Sequence, residues 1–210
     1  MIITSDLQYL KDQIRIESNF NLSDQAFALL IEKSAEINIK KGKAIVGSGS
    51  RDSSLYIIKK GVCRVAYVFE DKEVTFGFGE VGTCFISPSA FCLNKGAYFQ
   101  MLTCTETICL RISKSDLEDL MTNCNEIARW LFYTLLFQFY NCEAKLQVRN
   151  VDTSSHYNDM LEKRDIERYK ALKLHHPDIL NIVPDKVVAS YLGISHTHFS
   201  YLKNKVFKGK

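Results

Sequence analysis

His196, Thr197, Ser200, Tyr201 and Asn204 would all face outward from a helix near the end of the 210-residue chain. Asn204 is the side-chain type that pairs with adenine, and Ser200 or Thr197 can touch base edges or thymine methyls in a major groove. The same stretch carries Lys203, Lys205, Lys208 and Lys210, and no carboxylate occurs from Ser195 onward. That distribution suits phosphate neutralisation. Ser195, Lys203 and Lys205 therefore join the five outward residues as candidate contacts to double-stranded DNA.

Other chemistry finds little support. All five histidines (156, 175, 176, 196 and 198) lie in the last third of the chain. His175 and His176 have no third ligand at metal spacing. His196 and His198, two apart on a helix, point in diverging directions. The seven cysteines include no CxxC, which argues against a zinc ribbon or a disulfide framework and for a reducing compartment. Cys63, Cys104 and Cys109 fall within apolar strand-like runs, where cysteine behaves as a small buried hydrophobe. No Ser/His/Asp, Cys/His or paired-carboxylate arrangement emerges. The expectation is no catalytic residue, no metal and no cofactor.

The elements that must position the polar helix are legible around it. Asp185 to Asn204 reads DKVVASYLGISHTHFSYLKN. As a helix-turn-helix, Val188 and Leu192 turn inward, Ala189 is small at the helix crossing, and Gly193 supplies a positive φ at the turn. Ile194 plugs the turn, Ser195 caps the second helix, and Phe199 and Leu202 return it to the core. A plain αα-hairpin shares this spacing, but charge separates the two readings. Residues 1–143 hold 15 basic and 17 acidic side chains, and residues 144–210 hold 12 and 7, so the overall +3 divides into −2 and +5.

Further upstream, Ser23 reads as an N-cap with Leu22 and Phe27 as its hydrophobic staple, starting a helix to about Ser34. From Ile37 to Ile112 short β-branched and aromatic runs (55–58, 63–68, 74–76, 107–110) alternate with turn residues, as in a β-sandwich or small barrel. Ser113 to Asp116 has a capping-box pattern, and Ile112 with Leu117 forms a second staple. No proline or glycine follows until beyond Asn150, which predicts one helix of roughly 35 residues. Its segment WLFYTLLFQFY, 130–140, is apolar on nearly every face and needs cover on more than one side. A second copy of the chain is the simplest cover, with Ile127, Trp130, Leu131 and Leu135 as candidate dimer residues. Residues 151–159 read as a hinge, and a further helix from Leu161 ends before Pro177. No signal peptide or membrane span is apparent, so a cytoplasmic protein is expected.

In its order of parts the chain resembles the Crp/Fnr superfamily of transcription regulators. Lys40-Lys41-Gly42, Gly49 and Leu55-Tyr56-Ile57-Ile58-x-x-Gly61 resemble the glycine-punctuated jelly roll of the cyclic-nucleotide-binding domain. The long helix resembles the dimerisation helix. Glu167-Arg168-Tyr169 and Val183 through Leu202 resemble the DNA-binding domain of compact, wingless members. The resemblance implies an effector pocket at Phe78, Gly79, Glu80, Lys95 and Ala97. Gly79-Glu80 could stand for the pair that holds the ribose. Lys95-Gly96-Ala97 offers a lysine, without the bidentate fork, where the family's cyclic-AMP binders have Arg-Ser or Arg-Thr. The sensor domain is therefore expected not to bind cyclic AMP in the usual way. Compact members also carry an arginine where Tyr201 stands, which implies a less familiar DNA site.

The resulting expectation is an α+β protein. Residues 1–112 form a sensor jelly roll with N-terminal helices, 113–150 a long dimerisation helix, and 151–210 an all-α helix-turn-helix domain. Its partners would be double-stranded DNA, a second copy of itself, RNA polymerase and an unidentified small-molecule effector, and it would not be an enzyme. The alternative is a ligand-binding or protein-interaction module whose helix-turn-helix no longer reads DNA.

Overall fold

The computed structural model describes residues 4–69, 72–147 and 157–208, with the side chains of 69, 141–147, 157–163, 175 and 206–208 outside the description. The chain forms two compact units, residues 1–65 with 78–149, and residues 66–77 with 150–210. The first unit opens with α1 (Ser5–Ser18) and α2 (Asp24–Glu32). Ser23 caps α2 by accepting the Ala26 N–H at 3.1 Å, and Leu22 and Phe27 are both buried.

Eight strands follow: β1 (Ala35–Ile39), β2 (Ala44–Val46), β3 (Leu55–Lys60), β4 (Cys63–Phe69), β5 (Lys72–Gly79), β6 (Cys84–Phe85), β7 (Gln100–Thr103) and β8 (Thr107–Ile112). They form two four-stranded sheets, ordered β1-β8-β3-β6 and β2-β7-β4-β5. A six-residue helix, α3 (Pro88–Leu93), lies between β6 and β7. β1, β2, β6 and β7 were not singled out in the sequence, being short or weakly patterned.

β3 shows why its sequence is a continuous apolar run. Leu55 and Ile57 enter the core shared with the helices, while Tyr56 and Ile58 enter the core of the roll with Val46, Cys63, Met101 and Cys109. Side chains alternate between faces, so a strand covered on both sides shows no polar positions. Burial pushes the thiols of Cys63 and Cys109 up to about 12 and that of Cys104 to about 11. At Gly82, with φ +90°, an added Cβ would lie 2.5 Å from the Gln13 backbone of α1, so only glycine closes that turn.

The expected single long helix is two. α4 (Lys114–Asn123) ends at Cys124, whose backbone is extended at φ −136° and ψ 95°, and α5 (Asn125–Gln147) begins anew. The Glu126 carboxylate in the first turn of α5 accepts from the Ser23 hydroxyl at 2.7 Å and the Ser23 N–H at 2.5 Å. This tether to α2 links positions 103 apart in sequence, which no helical periodicity could have shown. The start of α4 is as expected: Ser113 Oγ accepts from the Asp116 N–H at 3.1 Å, and Ile112 and Leu117 are buried.

The exposed face of α5 also corrects the reading. Ile127, Trp130 and Leu131 are buried in the first unit's own core with Leu10, Ile14, Leu55 and Leu110. They are not available to a second copy. Leu135 remains exposed, and Phe132, Leu136, Phe139 and Tyr140 are exposed with it. No helix among the described residues is long and apolar enough to cross a membrane.

In the second unit α6 (Tyr157–His175), α7 (Ile179–Ile182), α8 (Asp185–Leu192) and α9 (His196–Lys208) enclose a small core. Helix occupies 157–159, the last residues of the expected hinge, while 151–156 lie outside the described residues. Tyr169, Leu172, Ile179, Val188, Leu192, Phe199 and Leu202 are buried there, with Tyr169 edge-on to Phe199 at 5.6 Å.

Candidate nucleic-acid interface

The helix-turn-helix geometry follows residue by residue from local chemistry. α8 ends at Gly193, whose φ of +68° and ψ of +30° fit the left-handed C-cap that glycine adopts without steric penalty. Its N–H returns to Ser190 O at 3.1 Å, and the Ile194 N–H returns to Ala189 O at 3.0 Å. Ser195 then caps α9, its Oγ accepting from the His198 N–H at 3.1 Å. Val188, Ala189, Leu192, Phe199 and Leu202 are all buried, so the inward set matches the sequence expectation.

The outward set is more differentiated than its sequence suggests. His196, Thr197, Tyr201, Asn204 and Lys205 are exposed, and the side chains of Thr197 and Asn204 make no hydrogen bond among the described residues. They retain their full donor and acceptor capacity. Ser200 is half-buried, and its hydroxyl donates to His196 O at 3.0 Å, which leaves its lone pairs to act as acceptors. Lys203 is taken up differently: its ammonium lies 3.0 and 3.1 Å from the two oxygens of Asp185 and 6.0 Å from the Phe199 ring. It braces α9 against α8 and is not a free cation. Lys205 sits 5.7 Å over the Tyr201 ring, and on its other side Tyr201 stacks on His198 at 6.2 Å. Tyr201 is thus held between two neighbours on the exposed face.

Two anchoring carboxylates escaped the sequence. Asp185 lies 18 residues from Lys203. Asp165 on α6, nearly buried, lies 3.2 Å from His198 Nε2 and within 3.9 Å of the Arg164 and Arg168 guanidinium groups. These carboxylates belong to helices other than α9, so no periodicity within α9 signals them. Strand β5 adds a further brace to α8, the Thr75 N–H donating to Ser190 Oγ at 2.9 Å.

The expected effector residues lie in the first unit. Phe78 and Gly79 end β5, Glu80 follows it, and the Glu80 N–H donates to Thr83 Oγ1 at 3.0 Å. Lys95 is exposed and Ala97 is buried in the core of the roll. The amides that could cradle a phosphate there are already bonded: Lys95 N–H to Ser89 O at 3.0 Å, and Ala97 N–H to Ser50 O at 2.8 Å. The Ser89 hydroxyl donates to Gly96 O at 3.0 Å. The Lys95 and Ala97 amides are thus engaged by the protein itself. Among the described residues no three His, Cys, Asp or Glu side chains gather as metal ligands.

With that geometry in place, residues 36–124 match the cyclic nucleotide-binding domain family. No curated protein sequence matches the chain. Among solved structures, FixK2 from Bradyrhizobium japonicum superposes with a TM-score of 0.68 at 15% identity, over 84% of this chain and 85% of that one. The c-di-GMP responsive global regulator CLP of Xanthomonas campestris also gives 0.68 at 15% identity, over 89% and 93%. The catabolite activator protein of Thermus thermophilus gives 0.56 at 16% identity, over 92% and 87%. At these identities the likeness is one of fold: a β-sheet domain followed by C-terminal helices.

Proposed function

We propose that this chain, which fits the Crp/Fnr superfamily in its fold and its cyclic nucleotide-binding domain, is a homodimeric transcription regulator that reads double-stranded DNA with α9. The observation that carries the reading is the exposed face of α9. There Thr197 and Asn204 keep unspent hydrogen-bonding groups beside Lys205, on a helix set by a glycine turn and a serine cap. Thr197, Tyr201 and Asn204 would meet base edges, and Lys205 the phosphates. The second copy would pack on the apolar side of α5 formed by Phe132, Leu135, Leu136 and Phe139. Two α9 helices would then enter successive major grooves roughly 34 Å apart. The sensor domain would not hold cyclic AMP in the usual way, because the Lys95 and Ala97 amides are spent on the protein itself. A cytoplasmic location and contact with RNA polymerase follow as parts of the same proposal.

Selection from a random DNA pool tests it. Enrichment of a two-fold symmetric site is the expected outcome, and a pool left unenriched at moderate salt refutes it. Tyr201 in place of arginine, together with Lys203 neutralised by Asp185, favours one rival: an interaction module that no longer reads DNA. Mobility shifts separate the two, because DNA contact loses affinity steeply as salt rises.

A further inference from the structure

The first unit carries an open surface cleft of about 690 Å³, lined mostly by charged and serine residues, that neither α9 nor the loop at Lys95 to Ala97 contributes to. Strand register creates it. β3 and β8 pair antiparallel with Leu55 opposite Ile112 and Tyr56 opposite Arg111, which sets the 51–54 loop beside the end of β8 and the start of α4. Three cations line the cleft: Arg51, Arg111 and Lys114. Between them stand the hydroxyls of Ser53, Ser54, Ser113 and Ser115.

Two carboxylates, Asp52 and Glu118, share the lining, and each is already compensated. Asp52 accepts the Ser54 N–H at 2.9 Å and the Tyr56 hydroxyl at 2.6 Å, and lies 3.8 Å from the Arg111 guanidinium. Burial alone would raise its pKa, but the Tyr56 and Ser54 hydrogen bonds and the Arg111 charge outweigh it and hold the carboxyl below its usual range. Glu118 pairs with Lys114 at 3.7 Å, and Lys114 also donates to Phe91 O at 2.7 Å. Arg111 is oriented in turn, its Nε donating to the nearly buried Ser54 hydroxyl at 3.1 Å, so its terminal nitrogens are aimed at little entropic penalty. Arg51 is exposed and makes no ion pair or hydrogen bond among the described residues. The cleft therefore holds one uncompensated guanidinium, Arg51, and a second, Arg111, held in place beside Asp52; the Ser113 hydroxyl is spent on Asp116 at 2.5 Å and bonded to Ser115, which leaves the Ser53 hydroxyl as the open donor.

We infer that this cleft binds a phosphate-bearing small molecule, its phosphate taken by Arg51 and Arg111 with the Ser53 hydroxyl beside them. Guanidinium forks match tetrahedral oxyanions in bidentate fashion, which a lysine ammonium does not. The depression is open to solvent, so the phosphate, and not enclosure of the whole molecule, would carry the binding.

Calorimetric titration of the full chain, at ionic strength held with chloride, tests this with four probes: ribose 5-phosphate, adenosine 5′-monophosphate, inorganic phosphate and sulfate. At least one phosphate ester should bind saturably and more tightly than the two inorganic ions. Arg51→Ala should weaken that binding about tenfold or more, the scale of one charge-assisted hydrogen bond. Because Arg51 is exposed and unpaired, its removal should leave the melting temperature of the free protein unchanged, and Arg51→Lys should restore only part of the affinity. The inference is overturned if no ester binds below ~10 mM. It is equally overturned if Arg51→Ala binds as the parent does, or if all four probes bind alike. None of these outcomes depends on DNA binding.

Discussion

Replacing Phe132 and Phe139 together by serine should dissolve the proposed dimer without unfolding the chain. These residues are 62% and 60% exposed on α5, on the side away from Ile127, Trp130 and Leu131. A phenylalanine offers about 200 Å² of surface, so each would lose about 120 Å² to a partner. At about 25 cal/mol/Å² that is about 3 kcal/mol per ring, and about 12 kcal/mol over the four rings of a two-fold interface. Much of this gross figure is offset by the entropy lost on association. A net loss of about 3 kcal/mol, or roughly a hundredfold in the dissociation constant, is the conservative expectation. Sedimentation velocity over a concentration series reads it directly. The contrasting variant is Trp130→Ala, which empties the chain's own core and should cost about 3–5 kcal/mol of folding stability. The assignment of faces fails if the double serine variant sediments as the parent does, or if the parent is itself monomeric at the highest concentration.

Gly193→Ala, at φ +68°, places a Cβ in the left-handed region and should destabilise the second unit by about 1–2 kcal/mol, read by chemical denaturation. Lys205→Ala should weaken binding to every DNA sequence and lower the salt slope by about one, whereas Asn204→Ala should change the preferred bases; identical effects would mean that α9 is oriented differently. The thiols of Cys63 and Cys109 are raised to about 12 and that of Cys104 to about 11 in the fold, from an ordinary value of 9.0. Their contribution to stability is therefore complete below pH 9 and should be lost as pH rises through that window, seen as a falling melting temperature. Among the described cysteines, exposed Cys92 should react with a thiol reagent well before these three, which must await opening of the roll.

What could be read in advance was what short-range chemistry controls. Ser23, Ser113 and Ser195 each announced a helix start because an N-cap hydroxyl bonds an amide only three residues on, and all three do so. Gly193 announced the turn because its φ is a local steric matter. The order of parts was equally visible, since glycine-punctuated strands, an apolar helix and a helix-turn-helix each carry a local signature. The break at Cys124 was not, because the residues around it are good helix formers and the tether that starts α5 comes from Ser23.

The sequence by itself determined that the chain would build a β roll, an apolar helix and a helix-turn-helix, because capping, turn geometry and side-chain period act within a few residues. Which face of α5 stays exposed was decided only by tertiary structure, since a helix apolar all round carries no phase and the packing of α1 and β3 selects one. So was the division of labour on α9. Lys203 and Lys205 look equivalent in the sequence, yet Lys203 pairs with Asp185 on another helix while Lys205 lies over the Tyr201 ring. The cleft of Arg51 and Arg111 has the same origin, for only the register of β3 against β8 brings residues 60 apart in sequence to one surface.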